Sequence, residues 1–167
     1  ELQIRKNSVV FVFGDVYCKT LVMESGARLY VQGNFACKSA TVDENSLVYI
    51  GGTTTSDDGM TLNKDATLNS YGDVICKDNV VLGEDAKINT HGNFTCLPND
   101  DNKAVTINSN ALIKVQGNFN CKKLSMLSNS NLYVAGNITC NSTDFSSGSD
   151  NQVIYCGGNA VIHNDFA

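Results

Sequence analysis

One short phrase recurs along the chain and decides most of what the chain can become. "GDVYCK" starts at Gly14, "GNFACK" at Gly33, "GDVICK" at Gly72, "GNFTC" at Gly92, "GNFNCK" at Gly117 and "GNITC" at Gly136. Two weaker copies, "GTTTS" from Gly52 and "GNAVI" from Gly158, have Ser56 and Ile162 where the others have Cys. Successive anchoring glycines stand 19, 19, 20, 20, 25, 19 and 22 residues apart. A period of this size marks stacked repeats, in which no unit buries its apolar side alone.

Within each unit the apolar residues alternate, the period-two pattern of strands. From Gly33 the inward places are Phe35 and Cys37, then Ala40 and Val42 after a bend, then Val48 and Ile50 after a second bend. The unit from Gly117 repeats this at Phe119 and Cys121, Leu124 and Met126, Leu132 and Val134. The unit from Gly14 does so at Val16 and Cys18, Leu21 and Met23, Leu29 and Val31. Leu2, Ile4, Val10 and Val12 fit as a partial coil. Asn, Gly and β-branched residues suit strands and bends, and no segment keeps i, i+3, i+4 spacing over three helical turns. The reading is an all-β, single-stranded β-helix (a β-solenoid) of about seven coils of 19–20 residues, with three short strands per coil. Residues 1–167 are expected to form one solenoid domain; because the chain starts at Glu1 it reads as a mature form or a piece excised from a longer chain.

Composition narrows the partners. With 42% hydrophobic and 17% charged residues the 167-residue chain should fold with a real core. A net charge of −5 and scattered Lys and Arg exclude the basic stripe that nucleic acid needs. No apolar run reaches the roughly 18 residues of a membrane-spanning helix. No cofactor or metal is expected.

Six of the seven cysteines, Cys18, Cys37, Cys76, Cys96, Cys121 and Cys140, occupy one place in their coils, two residues after an inward side chain. A zinc site needs converging ligand pairs, and here each Cys stands alone in its coil. Stacked β-carbons at the strand spacing of roughly 4.8 Å also sit wider than a disulfide prefers. The column is therefore expected to be buried thiols acting as small hydrophobes, with Cys156 outside it. That many reduced thiols suits a reducing compartment, or secretion by an anaerobe.

The residue between the last two inward places should face outward. Down the coils it is Phe11, Tyr30, Tyr49, Asn69, Asn89, Lys114, Tyr133 and Tyr155. Phe11, Tyr30, Tyr49, Tyr133 and Tyr155 form a candidate ligand-binding surface, suited to sugar rings or to the apolar patch of a surface protein. The plainer explanation is that aromatics are good strand formers and cross-coil neighbours. The lysines after Cys, at 19, 38, 77 and 122, read as a solubilising row. Extra residues after Cys96 and Cys140, with "SDDG" at Ser56, should place Asp57, Asp58, Asp100, Asp101 and Asp144 on one edge as ordinary polar loops. Neither an ordered calcium loop nor a set of acid, base and neutralising groups is visible; His91 is a lone candidate for catalysis, and the chain reads as non-enzymatic.

The units "GNF.C", "LYVAGNITC" and "LYVQGNFAC" resemble the polymer-forming β-helical repeats of bactofilins and related repeat regions of bacterial surface and pilus-associated proteins. That resemblance implies end-to-end self-association without nucleotide. The cysteine column, the outward tyrosines and the longer corners depart from it and favour a stalk or adhesive module on the surface of an anaerobic bacterium. A cytoplasmic filament scaffold is the alternative, and a polysaccharide-processing enzyme a weaker one.

Overall fold

The computed structural model describes residues 1–100, 102–145 and 151–163. Within these residues twenty strands, all paired in parallel, wind as a β-solenoid of about eight turns, one more than the period suggests because the first stretch supplies faces two and three of a turn and Ala160–Ile162 adds a further face one. Each turn has three faces. Face one holds residues 35–37 and their equivalents, face two 40–42, and face three the four-residue strands such as Arg28–Val31 and Leu47–Ile50. Faces one and two belong to one 12-stranded sheet, and face three is an eight-stranded sheet. The expectation of three strands per coil is met where the corner chain breaks, as between Thr54–Ser56 and Met60–Leu62. Elsewhere faces one and two fuse into one eight-residue strand: Val16–Met23, Phe35–Val42, Phe119–Met126 and Ile138–Phe145.

The register repeats without slippage. Val16, Phe35, Thr54, Val74, Phe94, Phe119 and Ile138 lie opposite one another in turn, as do Leu29, Val48, Leu68, Ile88, Ile113 and Leu132. These inward columns are the core, and Phe94 stacks on Phe119 at 5.0 Å between ring centroids. Eight rungs at the usual strand spacing make a rod on the order of 40 Å long.

Two corners hold this register. After face three, a motif Asn or Asp sends its side-chain oxygen to the backbone N–H of the next coil, as in Asn93 Oδ1 accepting from Asn118 N at 2.9 Å and Asn118 Oδ1 from Asn137 N at 2.8 Å. The motif's Asn thus bonds across coils rather than within its own bend. The glycine follows from the same contact, because a Cβ on Gly117 would lie 2.6 Å from Asn93 Oδ1 and 2.8 Å from the Gly92 carbonyl oxygen. Between faces two and three, each turn has one left-handed residue: Asn7, Gly26, Asn45, Asp65, Asp85, Asn110, Asn129 and Asn151. The N–H of the next residue closes onto the carbonyl three residues back, as from Ala27 to Glu24, making a type II turn, which needs a residue tolerant of positive φ. The residue after it is small and buried: Ala27, Ser46, Ala66, Ala86, Ala111 and Ser130.

The longer units are accommodated at different corners. The five extra residues after Cys96 form the corner before Val105–Ile107, and Asp100 sits there. The extra residues after Cys140 do not lie at that corner as expected. Ile138–Phe145 runs unbroken through faces one and two, so the added length falls between Phe145 and Val153. Asp144 consequently stands on face two opposite Ser125, with its carboxylate 3.9 Å from Lys123 Nζ. Asp101 lies outside the described residues.

Candidate functional site

Face three brings the outward side chains into one column in the expected order. Phe11 lies opposite Tyr30, Tyr30 opposite Tyr49, then Asn69, Asn89, Lys114, Tyr133 and Tyr155. The five candidate rings do not form one surface, because Asn69, Asn89 and Lys114 separate Tyr49 from Tyr133. Asn89 Nδ2 donates to Asn69 Oδ1 at 2.9 Å in that interval.

The rings extend sideways instead. Phe11 and Tyr30 stack at 4.9 Å and 11°, Tyr30 meets Tyr49 at 6.2 Å, Tyr49 meets Tyr71 at 5.6 Å and 54°, and Tyr71 stacks on His91 at 4.3 Å and 10°. The Tyr49 phenol is held above its ordinary pKa by its hydrogen bond to Tyr71. Tyr71 and His91 stand one place beyond the strand ends Ser70 and Thr90, in a neighbouring column that begins at Phe13. Sequence reasoning reached His91 only as an isolated imidazole and did not include Phe13 or Tyr71. The available signal was an aromatic at the same offset after the last inward residue.

Ring geometry limits what this path can do. Closely stacked rings cover each other's faces and offer solvent their edges. Open faces remain where the path tilts or ends, at the outer side of Phe11 (65% exposed) and in the wedge between Tyr133 and Tyr155, 6.3 Å apart and inclined by 39°. Two depressions follow. One, about 570 Å³, is lined by Phe11, Phe13, Tyr30, Tyr49, Gly51 and Tyr71, with Gly51 leaving a notch between the side chains above and below it. The other, about 390 Å³, is lined by Lys114, Gln116, Tyr133, Ala135 and Tyr155.

The cysteines lie inside. All seven are free thiols, and in register Cys18 faces Cys37, Cys76 faces Cys96, Cys96 faces Cys121 and Cys121 faces Cys140, with Ser56 between Cys37 and Cys76. Burial pushes Cys37 up to about 11 and Cys96 up to about 12. Cys121 directs its S–H at Cys140 Sγ, 3.2 Å away, and with burial this holds it protonated. At the interruption, Ser56 Oγ lies 2.6 Å from the Gly59 carbonyl oxygen and 3.0 Å from that of Lys38. Cys156 is half-buried on face three, opposite Val134. Among the described residues, no three His, Cys, Asp or Glu side chains converge as metal ligands, and no helix is long and apolar enough to cross a membrane.

Fold and surface together define a three-faced parallel β-solenoid with a filled core and an aromatic outer face. Comparison with protein-family models, curated proteins and solved structures finds no match.

Proposed function

We propose that the chain is a non-enzymatic structural module of a bacterial cell-surface protein, a rigid spacer that binds through face three. The aromatic path from Phe11 to His91 carries this reading. It groups five rings on one side of a rod whose interior is already filled by its own side chains. His91 is engaged in that stack, which supports a structural rather than a catalytic imidazole. The free thiols agree with the surface of an organism living without oxygen. Replacing Tyr30 and Tyr49 together by Ala should abolish binding to any glycan or surface protein captured by the wild type. Unchanged affinity would remove face three from the reading, and release of reducing ends from a polysaccharide would replace it with an enzyme.

A second reading, the self-assembling scaffold that the bactofilin resemblance implies, is favoured by the phase of the described strands. Gly117, Gly136 and Gly158 each sit beneath an Asn oxygen of the preceding coil, 2.5–2.6 Å from where a Cβ would be, whereas Gly14 has no atom within 4 Å. The described strands start on face two at Leu2–Ile4 and finish on face one at Ala160–Ile162. A second copy would therefore continue the winding in phase, setting Val9–Val12 on Val153–Cys156 and Phe11 beside Tyr155. Light scattering over a concentration series should then show growth that Gly14→Ala prevents. A stable monomer at all concentrations would reject this reading.

A further inference from the structure

Charge on face three is distributed unlike charge on the rest of the rod. The chain has 17 acidic and 12 basic residues, yet the eight strands of face three contain no Asp or Glu. Their charged side chains are Arg28, Lys87 and Lys114, and among the described residues none of the three has a carboxylate partner. Elsewhere several cations are matched, as in Lys64–Glu84 at 3.1 Å and Lys77–Asp57 at 2.8 Å, while Lys6, Lys19 and Lys38 form no ion pair among the described residues.

Lys114 is the informative one, because it stands inside the aromatic column. In register it is next to Tyr133, and it lines the smaller depression with Gln116, Tyr133 and Tyr155. The tilt between the two tyrosines opens part of a ring face, and Ala135 leaves room beside it. An ammonium, a primary amide and an inclined phenol are the groups that hold a sugar's carboxylate, its hydroxyls and its C–H face respectively. The larger depression lies further along the same face, carries no charge, and is separated from the first by the amides of Asn69 and Asn89.

We propose that face three binds an acidic polysaccharide, a polymer with carboxylates on its sugars, laid along the rod axis with one carboxylate at Lys114. This rests on the reading of face three as the binding surface and names its ligand class. The spacing of one coil, roughly 4.8 Å, is comparable to the length of one pyranose residue, so successive sugars can meet successive rungs.

The test is calorimetric titration of the whole chain with polygalacturonate and with a neutral β-glucan, at low and high salt. Polygalacturonate should bind at least about tenfold more tightly than the neutral polymer, and the advantage should shrink with salt. Lys114→Gln should remove about tenfold of that affinity with no change in melting temperature, and Tyr133→Ala should also weaken it. Equal binding of both polymers, or full affinity in Lys114→Gln, would overturn the acidic-sugar inference. If the Tyr30→Ala/Tyr49→Ala variant still lost binding in that case, face three would stand as the binding surface. No binding of either polymer overturns the inference as well, and capture of a protein by face three would then support the broader reading alone.

Discussion

The same substitution at two copies of one motif should have opposite effects. At Gly117, an added methyl would lie 2.6 Å from Asn93 Oδ1 and within 3 Å of the Gly92 carbonyl. The Asn93 side chain cannot move aside without losing the 2.9 Å bond it accepts from Asn118 N. Overpacking at about 1–3 kcal/mol and a lost hydrogen bond at about 1 kcal/mol oppose a gain of about 0.4–1 kcal/mol from restricting the unfolded chain. Gly117→Ala should therefore destabilise by about 2–3 kcal/mol, lowering the melting temperature by roughly 5–10 °C. At Gly14 no atom lies within 4 Å and φ is not positive, so only the unfolded-state effect remains. Gly14→Ala should leave the monomer unchanged or stabilise it by up to about 1 kcal/mol. Urea unfolding of the monomer, with equal denaturant slopes required for the comparison, measures both. A neutral Gly117→Ala, or a Gly14→Ala as costly as Gly117→Ala, would refute the argument that the preceding coil's oxygen imposes the glycine.

Two further outcomes follow from features inside the rod. The folded state keeps the protons of Cys37 and Cys96 up to about 11 and about 12, while an unfolded thiol loses its proton near 9.0. Their contribution is fully present below that value and is lost as pH rises through the folded values, so the urea midpoint should be level below about pH 8 and fall above it; a rising midpoint would contradict the burial. In the second corner, Asn129 has φ 57°. Asn129→Gly should be nearly neutral, whereas Asn129→Val should cost about 1–2 kcal/mol in the same measurement, and equal stabilities would count against the left-handed turn.

Much of the fold was legible in the sequence because the side-chain period of a strand is two and the coil period is nearly constant. Those two regularities placed Phe35, Ala40 and Val48 inward and put Phe11, Tyr30 and Tyr49 in one column. The corner between faces two and three was less readable, since Gly26, Asn45, Asp65 and Asn129 share a tolerance of positive φ rather than a side-chain type. The second insertion falls elsewhere than expected because residues 141–145, directly after Cys140, include no glycine or proline to break the strand; pairing with Phe119–Met126 carries Ile138–Phe145 past the corner. The candidate site was half visible. Alternation identified the column, but the turn of the ring path from Tyr49 to Tyr71 depends on how neighbouring coils meet beyond the strand ends.

The coil-to-coil hydrogen bonds also govern how the rod would respond to tension. They run along its length, while the strands run across it. A pull on an end coil therefore opens one rung at a time instead of shearing all the rungs together. Each released turn of about 20 residues replaces roughly 4.8 Å of rod with about 65–70 Å of extended chain. Fixed at one end and pulled at the other, such a molecule lets out slack turn by turn, and the turns not yet reached keep their packing.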